Sequence, residues 1–298
     1  MITRRFPLYA ALLFLSLAVS SPGAQNAAAP GAGRSDCNHE CLRDVVTQYL
    51  QALIAHKPGA LPVSATVRFT EDTVEMKLGE GLWKNASRLR PYRQDILDVR
   101  QGVAGAHVVL EEGTSPVMLV LRLKVVNKKI TEIETMVVRS QAEGMIFDVD
   151  KLRTASDAMA IALQPSQRNS REEAIAIAER YPAGLKAGSF VNVDVPFASD
   201  AYRLENGRLM AGRGCTFIPG CENIKTQRIS TLSEITYRLA AVDEDLGIVW
   251  LRQDFGRGST TAGKSLVVWE AFKVYGGQIH AVEAFMEVMP PGAGSGWE

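Results

Sequence analysis

Apolar and polar residues alternate most cleanly near the C-terminal end of the chain. Trp269-Glu270-Ala271-Phe272-Lys273-Val274 and Ile279-His280-Ala281-Val282-Glu283-Ala284-Phe285-Met286 are two strand-like runs. The link between them, Tyr275-Gly276-Gly277-Gln278, can supply the positive φ angles that a tight hairpin turn demands. The same patterning predicts further strands over 93–99, 103–112, 117–126 and 130–139, then over 235–241 and 248–255, with turn signals such as Glu112-Gly113-Thr114-Ser115-Pro116 between them. Helical spacing occurs twice. Leu42, Val45, Val46, Tyr49, Leu50 and Leu53 predict an amphipathic helix from Asp36 to about Ala55. Ser170-Arg171-Glu172-Glu173 is a capping box that opens a second helix, with Ala174, Ile177, Ala178, Tyr181 and Leu185 on its apolar face. Short strands are expected at 62–71 and 196–205, and Gly79-Glu80-Gly81-Leu82-Trp83 reads as a loop leading into a short helix.

These elements form two copies of one unit. Lys124, Ile130 and Glu134 fall on Lys273, Ile279 and Glu283 at a constant offset, 279 − 130 = 149, while Pro62 to Glu71 lies over Pro196 to Glu205 with 205 − 71 = 134. The second copy therefore carries 149 − 134 = 15 extra residues, expected around its cysteine loop. Residues 140–168 lack a clean period and hold the interdomain connection.

Composition sets the address and excludes some partners. The 298 residues, 46% of them apolar, suffice for two cores, and the 33 basic residues balance the 33 acidic ones, so no net field recruits a nucleic acid. Met1-Ile2-Thr3-Arg4-Arg5 followed by the apolar run Leu8 to Val19 reads as an export signal, with cleavage after Ser20, Ser21 or Ala24. Arg4-Arg5 hints at twin-arginine export, but Phe6 stands one place early, which favours ordinary secretion. No later run is long enough to span a membrane. Cys37, Cys41, Cys215 and Cys221 suit an oxidising compartment and two local bridges, Cys37–Cys41 and Cys215–Cys221; a metal site from Cys37, His39 and Cys41 is the alternative.

A helix, a short strand after a proline turn, and a run of long strands ending in a Gly-rich hairpin resembles the cone-shaped fold of the nuclear transport factor 2 superfamily, to which the SnoaL-like polyketide cyclases belong. Gly79-Glu80-Gly81-Leu82-Trp83, Arg203-Leu204-Glu205-Asn206-Gly207, Glu270-Ala271-Phe272-Lys273-Val274 and Ser295-Gly296-Trp297 are similar to exported two-domain members of unassigned function. The resemblance implies an α+β protein with two tandem cone-shaped, cystatin-like domains. Each would be a curved antiparallel sheet with helices on one face, the pair packing as an intrachain pseudo-dimer. The expected divisions are a signal peptide at 1–24, a flexible leader at 25–36, domains at 37–140 and 169–289 joined by 141–168, and an irregular tail at 290–298.

In that fold an inward polar residue on a strand meets the ligand. Glu270 stands among Leu266, Val268, Phe272 and Val274, and Glu283 among Ile279, Ala281 and Phe285. A carboxylate on an apolar face has a raised pKa and can trade protons near neutral pH, unless a core arginine or tyrosine neutralises it. Glu270 or Glu283 is the expected proton carrier, Asp254 the second acid or base, and Arg203 or Arg252 the group steadying negative charge. Arg252 and Trp250 are expected at the pocket mouth beside Asp254, with Glu205 near Arg203. His280 faces away from Glu283. At the 149 offset Glu270 falls on Leu121 and Ala271 on Arg122, so two equivalent sites are not expected; Glu71, Trp83, Tyr92, Arg93 and Glu134 could line a separate pocket in the first unit. The scattered histidines and the lack of phosphate-loop or metal-helix motifs predict neither cofactor nor metal. The expected function is a periplasmic or secreted, cofactor-independent lyase or isomerase for a small, largely apolar, aromatic or polyketide-like molecule, in a monomer or homodimer. The alternative is a non-catalytic small-molecule binding protein of the same fold.

Overall fold

A computed structural model describes residues 36–257 and 263–290, together with Met1 and Trp297. The export signal, nearly all of the leader and most of the tail expected from the sequence lie outside these residues. Helix α1, His39–Ile54, starts where the Asn38 side chain accepts the amide of Cys41, and α4, Arg171–Ala187, starts with the Ser170/Glu173 capping box. Strands β1 (Val63–Glu71), β2 (Val74–Glu75), β3 (Ala86–Asp98), β4 (Val103–Glu112), β5 (Ser115–Val126) and β6 (Lys129–Val138) form one sheet in the order β2-β1-β6-β5-β4-β3. Strands β7 (Phe197–Glu205), β8 (Arg208–Ala211), β9 (Thr236–Asp243), β10 (Ile248–Asp254), β11 (Ser265–Tyr275) and β12 (Gln278–Met289) form a second in the order β8-β7-β12-β11-β10-β9. The repeat is thus carried into topology. The β11–β12 turn uses Gly276 at φ 55° and Gly277 at φ 78°, as the Gly-Gly pair predicts.

The copies agree down to single main-chain bonds. Ile130 N donates to Pro62 O and Ile279 N to Pro196 O, each at 2.8 Å, and both final hairpins shift register at the same place, Lys124/Val125 and Lys273/Val274. The extra residues enter in two steps rather than one. Val103 opens β4 and Ile248 opens β10, an offset of 248 − 103 = 145, so eleven precede β9 and four lie between β10 and β11. The wholly antiparallel sheets expected from the resemblance are also corrected. Strands β1 and β6 pair in parallel, as do β7 and β12; the long excursion through the intervening strands returns the chain in the same direction.

Three cores result. Helix α1 covers one face of the first sheet, where Leu42, Val46, Leu119 and Ile133 meet, and α4 covers one face of the second, where Ala178, Tyr181, Leu251 and Phe272 meet. The remaining faces share a core containing Ile96, Val120, Trp250, Trp269 and Phe285. Burial on both faces explains why β4, β5 and β11 are nearly continuous apolar runs. Trp250 is seated where only glycine leaves room, because a Cβ on Gly105 would lie 2.4 Å from its ring.

A reciprocal pair of carboxylates joins the two sheets. Leu97 N donates to Asp243 Oδ2 and Val242 N to Asp98 Oδ2, both at 2.9 Å, and the partners are related by the 145 offset. Each carboxylate also meets the first residue of the other copy's helix: Arg171 at 2.5 Å from Asp98 and His39 at 3.5 Å from Asp243. The segment between the sheets carries two short helices, α2 (Gln141–Gly144) and α3 (Asp157–Ala160). It is tied down by Asn206, whose Nδ2 donates to Gly144 O and Ile146 O, and by Lys273 Nζ on Ile161 O.

Cys37–Cys41 and Cys215–Cys221 form the two local disulfides expected from their spacing. The alternative metal role for Cys37, His39 and Cys41 is overturned, since both thiols are consumed in the bridge. No helix among the described residues is long and apolar enough to cross a membrane.

Candidate functional site

Glu283 stands opposite Ala271 in the β11–β12 ladder, on the face turned toward the first sheet. Ser156 Oγ and Tyr202 OH each donate to its Oε1 at 2.6 Å, and the buried Tyr92 hydroxyl of β3 lies near the same carboxylate. Ser156 is fixed as the N-cap of α3, and Tyr202 comes from β7 next to β12. Burial first, and then the neighbouring Glu283 charge, pushes both tyrosine hydroxyls well above their ordinary pKa, so they remain protonated donors. Glu283, Ser156 and Tyr92 border a cavity of about 330 Å³ whose apolar wall is Leu152, Leu204 and Leu209. A second cleft of about 550 Å³ shares Lys151 and Leu209 with it and is lined by Asp148, Arg208, Thr216 and Phe217. There Arg208 binds Asp148 at 2.8 and 3.0 Å, holding that carboxyl down at about 2.

Glu270 points the other way. Its ladder partner Ala284 and its neighbours Val268 and Phe272 belong to the opposite face, so the two expected proton carriers are separated by the sheet. Beneath α4, Glu270 accepts from Gln253 and its pKa is pushed up to about 8 by burial and then by Glu205. Arg203 joins this group, donating to Tyr181 OH at 3.0 Å and pairing with Glu205 at 2.9 Å. Asp254 does not: it ends β10, accepting from Ser265 Oγ and from Gly256 N. The expected catalytic set is therefore distributed over three places.

Trp250 is corrected from a pocket mouth to the intersheet core. It is fully buried and donates from Nε1 to His107 Nε2 at 3.1 Å. His107, stacked on Phe285 at 4.7 Å, is pushed down to about 3 by burial and is neutral. Trp83 lies under α1 with Nε1 on Tyr49 OH at 3.1 Å, and one edge borders a cleft of about 300 Å³ with His56 and Lys84. Glu71 is engaged by Leu82 N and Arg139, and Arg93 by Asp95. His280 stacks on Tyr275. Glu134, the counterpart of Glu283, is held not by hydroxyls but by Arg238 at 2.6 and 2.8 Å and by Arg122 at 3.5 Å.

Sequence reasoning missed Ser156 and Tyr202. Tyr202 is one place before Arg203 on β7 and so faces the opposite side, which alternation could have revealed; Ser156 lies in the aperiodic segment and had no such signal.

Residues 167–286 match a family described as Domain of unknown function (DUF8021), a span that holds α4, β7 to β11 and most of β12. No curated protein matches the chain. Among solved structures, the crystal structure of a de novo designed protein with curved beta-sheet is 20% identical and covers 34% of this chain and 87% of that one, with a TM-score of 0.28. An overlay that loose says nothing about the chemistry of this chain.

Proposed function

We propose that the protein is an exported, cofactor-independent lyase or isomerase that moves a proton on a small, largely apolar molecule, and that each half is a cone-shaped fold of the nuclear transport factor 2 kind. The supporting observation is Glu283 ringed by Ser156, Tyr202 and Tyr92 at the edge of the cavity that Leu152, Leu204 and Leu209 line. In this reading Glu283 takes a proton from a carbon next to a carbonyl, and a protonated tyrosine or Ser156 donates to the oxygen on which negative charge develops. The hydroxyls that hold the carboxylate at rest become available as the ligand replaces them.

The test is hydrogen–deuterium exchange at carbon. The mature chain is incubated in D₂O with a panel of aromatic ketones, cyclic enones and lactones, and the acidic C–H signals are followed by NMR. Exchange above the buffer rate that is lost in Glu283→Gln, with an unchanged melting temperature, supports the assignment. Exchange that survives Glu283→Gln overturns it. A second reading, ligand binding without chemistry, is favoured by the two hydroxyl donors that already engage Glu283; saturable binding of a panel member with no exchange would establish it.

A further inference from the structure

The two copies place different chemistry around the equivalent carboxylates Glu134 and Glu283. At the position of Tyr202 on β7 the first copy has Arg68 on β1, and at that of Ala271 on β11 it has Arg122 on β5. At the position of His107 on β4 the second copy has Arg252 on β10, and these facing strands complete the two surroundings. Tyr92 reaches across the sheets to Glu283, and Arg238 of β9 reaches across to Glu134. One carboxylate thus stands among neutral groups, the other among guanidinium groups.

The guanidinium groups are not all used. Arg122 Nε, Arg238 Nε and Arg252 Nη2 are buried with no hydrogen-bond partner. Arg252 is only 6% exposed and makes no ion pair among the described residues. A buried donor without an acceptor is costly, and a buried cation without an anion more so. Arg68 pairs with Glu75, Arg122 with Glu132, and Arg238 with Glu134, so three carboxylates answer three of the four cations. Glu134 and then Asp254 are the anions in range of Arg252, the first held by Arg238 and the second hydrogen-bonded by Ser265 and Gly256. Arg252 nevertheless forms no direct ion pair with either, so its Nη2 is the deepest donor in the cluster left without an acceptor. Indole rings flank the cluster: Arg238 lies 5.4 Å from the Trp269 ring, and Arg68 lies 4.3 Å from the ring of Trp297, whose Nε1 donates to Thr70 Oγ1. Arg238 and Arg68 are also its partly exposed members, at 22% and 38% of their side chains, so solvent reaches the cluster from that side.

We propose that Arg122, Arg238 and Arg252 form a binding site for a singly charged oxyanion, a carboxylate in the first instance, distinct from the Glu283 cavity. Planar guanidinium groups match a carboxylate's two oxygens, and the adjacent indoles suit an aromatic or aliphatic body on that acid. The surroundings of Glu283, with His107 from the first copy and Ala271 from the second at the equivalent places, lack the charge to do the same.

Calorimetric titration of the mature chain at constant ionic strength tests this, with benzoate as the monoanion and inorganic phosphate as the comparison. Saturable binding of benzoate that weakens at least tenfold in Arg252→Gln supports the site; tight binding of phosphate in its place keeps an oxyanion site but overturns the singly charged class. A thermal-shift series gives an independent readout. Without added anion, Arg252→Met should melt no lower than the parent, because it removes a buried charged donor with no acceptor, and benzoate should raise the melting point of the parent only. No saturable binding of either probe, an equal shift in parent and variant, or an Arg252→Met variant melting well below the parent would each overturn the proposal.

Discussion

The reciprocal carboxylates at the sheet junction make a sharp prediction, because their surroundings differ while their backbone roles do not. Asp98 accepts Gln101 N and Val242 N at 2.9 Å each and binds both terminal nitrogens of Arg171, which is only 8% exposed. Asp98→Ala therefore leaves the buried Arg171 only a longer pair with the half-buried Glu244 at 3.9 Å, a loss of about 3 kcal/mol, and strands an intersheet amide as well, bringing the whole to about 4 kcal/mol because both losses share one carboxylate. Asp243→Ala strands the Leu97 amide, but its ionic partner is a histidine 22% exposed at 3.5 Å, which can give up its proton or find water. Its cost should be about 2 kcal/mol. Urea unfolding of the protein at pH 7, with equal slopes in all variants, measures both. The double change Asp98→Ala with Arg171→Met removes the poorly paired charge and should restore about half of the loss. The reasoning fails if Asp98→Ala costs no more than Asp243→Ala, or if adding Arg171→Met makes matters worse.

Two other outcomes rest on single residues. Gly105→Ala would put a methyl group 2.4 Å from the Trp250 ring, so it should lower stability by about 1–3 kcal/mol and alter near-ultraviolet circular dichroism; an unchanged spectrum and midpoint would show that the ring can move freely. Glu270, whose pKa is pushed from 4.5 up to about 8, keeps its proton in the folded state over a range where the unfolded chain has lost it. Its contribution is present in full below pH 4.5 and is lost as pH rises toward 8, so stability should fall across that window by a few kcal/mol and Glu270→Gln should flatten the slope; equal slopes for the two proteins would refute it.

Local order is legible in the residues themselves. The α1 and α4 caps, the Gly276-Gly277 turn, both disulfides and the duplicated hairpins follow from spacing and backbone preference, which act over a few residues. The alternation that puts Glu283 on one face with Ala281 and Phe285 holds, but the register shift at Lys273/Val274 turns Ile279, expected beside them, to the α4 side. Comparing the copies by offset even locates Glu134 as the counterpart of Glu283, before either has a neighbour.

What alternation cannot supply is the layer on which each face packs. Glu270 and Glu283 look alike along the chain, yet one is enclosed by α4 and the other borders a cavity, because a strand shows its two faces to different partners. Trp250 reads as a rim residue along β10 although the opposite sheet buries it, and the partners of Glu283 come from residues 92, 156 and 202, far apart in sequence. The parallel pairing of β1 with β6 and β7 with β12 likewise depends on where the chain returns. A two-residue period fixes which side chains share a face. Only the packing of layer on layer decides whether that face meets a helix, a sheet or solvent, and with it whether a carboxylate is neutralised, hydrogen-bonded or left to meet a ligand.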